Sequence, residues 1–125
     1  MEPKKEVYIS EKALSKLKND RFIREKKNKK WYLEKILSIV NDPIGYHHET
    51  IGKFSVGPRG HEKRRIVWSF SISGDTIKVY IADLLYHISS GGYVGSWDIE
   101  ARERRITPQS YNYIQFKDLR QVVNL

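Results

Sequence analysis

The chain has 125 residues, 39% of them hydrophobic and 30% charged, which is enough apolar material for one core of ordinary domain size and too little for two. It contains no cysteine, so disulfides, thiolate metal sites and thiol nucleophiles are excluded, and a reducing, cytoplasmic compartment is expected. Lys and Arg number 23 against 15 acidic residues, a net charge of +8, and an excess of that size attracts polyanions by releasing their condensed counterions.

The first residues are charged, with no apolar leader, and no later stretch is long enough to span a bilayer, so no membrane role is expected. Val7 to Ile9 reads as an extended entry. Ser10 then precedes Ala13, Leu14 and Leu17, so its hydroxyl can cap a first helix from about Glu11 to Asn19 while Ile9 packs on Leu14. The stretch from Arg21 to Lys30 supplies Arg21, Arg24, Lys26, Lys27, Lys29 and Lys30 against Glu25 alone. It is the densest basic run, and reads equally as a solvated turn or as a phosphate contact. From Trp31 the residues Leu33, Ile36, Leu37 and Val40 fall on one face of a second helix, which should stop at Asn41, Asp42 and Pro43.

Beyond Pro43 the texture turns to short alternating stretches punctuated by glycine. In Arg65 to Ile72 the apolar Ile66, Trp68, Phe70 and Ile72 alternate with Arg65, Val67, Ser69 and Ser71, the period of a strand with one buried face. A Ser73-Gly74-Asp75 turn leads to a second strand, Thr76 to Ala82, with Ile77, Val79 and Ile81 on the core side and Lys78 and Tyr80 opposite. The class expected is α+β, two N-terminal helices packed on one face of a twisted antiparallel β-sheet, in one domain spanning 1–125. The residues from 97 onward form a C-terminal extension of unassigned role, with room for an added strand. Arg65, Ser69, Ser71, Lys78 and Tyr80 are then expected to share an open, basic sheet face.

The sequence holds no phosphate-binding P-loop, dinucleotide fingerprint or zinc spacing, and the adjacent His47 and His48 do not form a metal pair by themselves. No metal or small-molecule cofactor is expected. Cleaving RNA without a metal needs a base for the 2′-hydroxyl, a cation for the crowded phosphate and an acid for the leaving oxygen. The cluster from Gly52 to Trp68 carries suitable groups: Lys53, Arg59, His61, Lys63, Arg64 and Arg65. Arg65, at the start of a strand, suits the cation. His61, Lys63 and His87 are candidates for proton transfer, and each reads equally as loop decoration or a strand-end cap. Tyr86 and Tyr93 are candidates to stack on bases or orient a phosphate, although an aromatic near a strand end more often packs in the core.

The extended start, the two helices ending in Asn-Asp-Pro, a Gly-Lys step, then Arg-Arg-Ile-Val-Trp, a Gly-Asp turn and Thr-Ile-Lys-Val-Tyr-Ile together resemble the RelE/ParE toxin superfamily over roughly Val7 to Tyr93. The resemblance implies two helices against a twisted antiparallel sheet and an antitoxin that covers the basic surface. It also implies one of two activities: cleavage of ribosome-bound messenger RNA, as in the RelE branch, or action on DNA gyrase, as in the ParE branch. The family's strand arginine falls on Arg65 and its other basic residues near Lys53, Arg59 and Lys63. Where the family carries a second arginine and a tyrosine, this chain has Leu84-Leu85-Tyr86-His87, so His87 stands in the arginine's place. The expectation is a metal-independent endoribonuclease with Arg65, His61, Lys63, His87 and Tyr86 at the reaction and Lys53, Arg59, Arg64, Lys78, Tyr80 and Tyr93 on the RNA. Gyrase inhibition and RNA binding without catalysis are the alternatives.

Overall fold

In the computed structural model, which describes residues 3–46, 49–51, 55–57, 60–89 and 111–125 and the side chains of 3–46, 64–86 and 111–125, Ser10 joins a strand to a helix. Strand β1 (Lys4–Ser10) runs into α1 (Glu11–Asn19), and the Ser10 hydroxyl accepts the Ala13 amide at 2.9 Å while donating to the Ala82 carbonyl at 2.6 Å. The cap expected at Ser10 is therefore formed, and the same oxygen ties the helix start to a distant strand.

Helix α2 (Lys26–Asn41) starts within the basic run rather than near Trp31, so Lys26, Lys27, Lys29 and Lys30 occupy its first turns. It ends at the Asn-Asp-Pro step, as proline requires. Ile36, Ile39 and Val40 of α2 and Ala13 and Leu17 of α1 are buried in one cluster with Val7, Ile9, Ile66, Trp68, Val79, Ile81 and Leu84. The helices thus cover one face of the sheet, which the apolar alternation of the strands supplies.

After α2 come the short β2 (Glu49–Ile51) and β3 (Ser55–Gly57), both beside β4, and then the long hairpin of β4 (Gly60–Ser73) and β5 (Thr76–Ser89). Gly74 takes φ 62 between the strands, a backbone that a hairpin turn needs at its first position and that side chains with a Cβ adopt rarely. Both long strands run 14 residues, so β4 begins well before Arg65 and β5 continues well beyond Ala82, both at the end of the hairpin away from the turn. At Ala82 the register shifts by one residue: Val67 faces Asp83, but Trp68 faces Ile81. This bulge lets β5 bend around the helices.

The sheet is mixed rather than wholly antiparallel. Its strand order is β2-β4-β5-β1-β6, with β3 alongside β4, and β1 lies parallel to β5, a pairing that the long connection through α1, α2 and β2 to β4 permits. Strand β6 (Tyr113–Phe116) pairs antiparallel with β1, and a short helix, α3 (Leu119–Val123), follows. Val122 of α3 is fully buried in the common cluster. The described part of the C-terminal segment therefore adds a strand, as allowed for, and belongs to the core. Among the described residues no helix is long and apolar enough to cross a membrane.

Candidate nucleic-acid interface

Register gathers much of the expected site at one end of the hairpin. Across β4 and β5, His61 pairs with Ser89, Lys63 with His87, Arg64 with Tyr86 and Arg65 with Leu85. His61 and Lys63 are thus strand residues and not loop decoration. Lys78 and Tyr80 face Ser71 and Ser69 near the turn, roughly 25 Å away at ~3.3 Å per strand residue, so they do not join the same site.

The expectation of an exposed Arg65 is corrected by its surroundings. Arg65 is 2% exposed, and its neighbour Val67 on the same side of the sheet is 5% exposed. It does not begin a strand: β4 starts at Gly60, and at Arg65 the strand is flanked by Ile51 of β2 on one side and Leu85 of β5 on the other. Alternation assigned Arg65 to the face away from the helices, but could not tell that this part of that face is closed to solvent. Toward the turn the same face does open, with Ser71 exposed and Lys78 and Tyr80 half-buried. Tyr80 stacks on Tyr8 with ring centres 5.0 Å apart and meets Tyr113 edge-on at 5.3 Å, so its ring packs in an aromatic row. Burial pushes the Tyr8 phenol up to about 12, helped by its 2.8 Å hydrogen bond to the Glu6 carboxylate, and burial likewise pushes Tyr113 up to about 12.

Arg64 is also buried, on the helix side, and is thereby corrected as a direct RNA contact. Its Nε–H donates to Asn28 Oδ1 at 2.8 Å and its guanidinium lies 5.6 Å from the Trp31 ring centre. Asn28 in turn donates to the Phe22 carbonyl at 2.8 Å, and the Phe22 ring stacks on Tyr86 at 5.2 Å. Tyr86 is accordingly half-buried packing between the hairpin and the turn before α2. These contacts bring the first turn of α2 against the hairpin end that carries Lys63 and His87. Arg21, Arg24, Lys26, Lys27 and Lys30 are exposed there, beside the positive end of the helix dipole.

Lys53, Arg59 and Tyr93, like His47 and His48, lie outside the described residues. Two structural residues escaped the sequence reading. Asn28 carried a weak signal, a lone amide among lysines. Asp83 was hidden beyond the expected strand end. It is 1% exposed, with Lys16 Nζ 2.7 Å from one carboxylate oxygen and Lys12 Nζ 3.4 Å from the other, so it anchors α1 to the bulge. Among the described residues no group of three or more histidine, aspartate and glutamate side chains is placed to hold a metal.

No protein family, curated protein or solved structure matches this chain.

Proposed function

We propose that the protein is a cytoplasmic RelE-like toxin that binds and cuts messenger RNA, on the ribosome, without a metal, and is held in check by an antitoxin. One observation carries this reading. The Lys63–His87 register pair stands at the same end of the hairpin that Arg64, Asn28, Phe22 and Tyr86 tie to the exposed cations before and within the first turn of α2. By strand alternation the Lys63–His87 pair falls on the sheet face opposite Arg64, so an RNA strand held by the α2 cations rounds this end of the hairpin to reach groups able to move protons.

In this reading the run from Arg21 to Lys30 takes over the phosphate binding first assigned to Arg65. Lys63 or His61 removes the 2′-hydroxyl proton, the 2′-oxygen attacks the adjacent phosphorus, and His87 protonates the departing 5′-oxygen. The products are a 2′,3′-cyclic phosphate and a 5′-hydroxyl. The order of elements from β1 to the hairpin supports the RelE-like assignment.

The test is cleavage of ribosome-bound and naked RNA in EDTA, with the product ends identified. Lys63→Ala and His87→Ala should each lower the rate by about 10²–10⁴-fold while binding persists. Intact RNA of both kinds after prolonged incubation would rule the nuclease out. A second reading, RNA binding without turnover, rests on the exposed lysines of α2, which need no acid or base beside them, and predicts steeply salt-dependent binding with no products.

A further inference from the structure

We propose that the groove between α2 and α3 is a docking site for an acidic amphipathic helix of a partner protein. The groove encloses about 530 Å³. Its basic end is formed by Lys26, Lys29 and Lys30, and its apolar floor by Leu33 and Leu37 of α2 with Val123 of α3 opposite. The α2 residues follow one another at helical spacing, so they form a single stripe about 16 Å long at 1.5 Å rise per residue. That is the length of about three helical turns.

Two features ask for an occupant of this chemistry. Val123 is 53% exposed although it faces leucines, so the groove leaves apolar surface in water that a second apolar stripe would cover. The basic end is also unbalanced. The first turn of α2 holds no acidic residue, and among the described residues neither Lys26 nor Lys29 has a carboxylate partner. Among the described residues Lys30 pairs with Glu34, at 3.9 Å with both side chains exposed. Four lysines at the positive end of a helix dipole repel both the dipole and one another. Carboxylates placed there by a partner relieve that repulsion.

A nucleic-acid backbone would use the lysines but gain nothing from the leucine floor. A helix with leucines on one face and glutamates beside them uses both, by the anchor spacing that helix-in-groove recognition employs. The proposal stands on the groove alone and does not depend on RNA cleavage.

The probe is a labelled synthetic helix with leucines on one face and glutamates flanking them, titrated into the full chain and followed by fluorescence anisotropy and by backbone amide shifts. Saturable binding is expected, with shifts at Leu33, Leu37 and Val123, and weakening at high salt. Val123→Asp, at an exposed position that leaves folding intact, and the Lys26→Glu/Lys29→Glu pair should each weaken binding at least tenfold, and a lysine version of the probe should not bind. Binding indifferent to Val123→Asp, shifts elsewhere, or no saturation overturns the proposal. So does a result in which the lysine pair reduces only the binding of a single-stranded RNA, because the groove is then an extension of a nucleic-acid surface.

Discussion

Arg64 of β4 donates its Nε–H to the side-chain Oδ1 of Asn28 in α2 at 2.8 Å, and both side chains are buried. A guanidinium withdrawn from water is tolerated only with its donors occupied, so this bond fixes the first turn of α2 against the hairpin. Asn28→Ala should therefore lower stability by about 2 kcal/mol, since it removes the buried acceptor of the Arg64 Nε–H and the donor to the Phe22 carbonyl. Urea denaturation reads the change. A loss below about 0.5 kcal/mol would mean that water replaces the amide.

The buried Asp83 carboxylate depends on Lys16, whose ammonium also donates to the Leu84 carbonyl at 2.8 Å. Lys16→Ala removes the shorter of the two lysine contacts to Asp83, leaving the ammonium of Lys12 at 3.4 Å and the Leu84 amide at 2.8 Å, and should destabilise by about 3 kcal/mol. The combined Lys16→Ala/Asp83→Ala variant should recover part of that loss, because the buried carboxylate that Lys16 neutralised is then gone. A double-mutant cycle gives the coupling directly.

Exposed cations outside the α2–α3 groove separate RNA affinity from stability. Replacing Arg21, Arg24 and Lys27 with glutamine should flatten the slope of log binding constant against log salt by about 0.7 for each lost contact with single-stranded RNA. Lys27→Glu should weaken RNA binding while raising helix stability by roughly 0.3–1 kcal/mol, because an acid suits the positive end of α2 better than lysine does. Unchanged salt dependence would move the RNA surface elsewhere.

Alkali should destabilise the protein in a defined window. Tyr8 and Tyr113 ionise at about 12 in the folded chain, raised from 10.0 by burial first and, for Tyr8, by the Glu6 carboxylate next. A raised phenol favours the folded state fully below the unfolded value of about 10 and loses that contribution as pH climbs toward 12. The urea midpoint should fall across this interval, and Tyr8→Phe should make the fall shallower. Glu6→Gln should bring the Tyr8 transition, read by tyrosinate absorbance, to lower pH.

Local signals in the sequence were sufficient wherever the physics was local. Ser10 capped its helix, Pro43 closed the next one, and Gly74 turned the hairpin, because each acts through its own backbone within a few residues. The burial of Arg65 was not legible in the same way. Its face followed from alternation, but its exposure depends on β2 and β5 lying on either side, and pairing across such separations leaves no trace in residue spacing. The start of α2 was hidden because lysines serve a helix and a solvated turn equally well, so only the packing of Asn28 and Tyr32 shows that the basic run is helical. The parallel placement of β1 likewise has no local signature.

That placement has a consequence for how molecules of this protein behave toward one another. Strand β1 carries the buried Val7 and Ile9 and is bordered by β5 on one side, with β6 covering only Val7 to Ser10 on the other. Deleting β6 would leave a row of bare amides and carbonyls along an apolar strand, a ready template for pairing with a second chain. The four residues of β6 thus act as a guard against self-association, and a chain shortened before Tyr113 should aggregate.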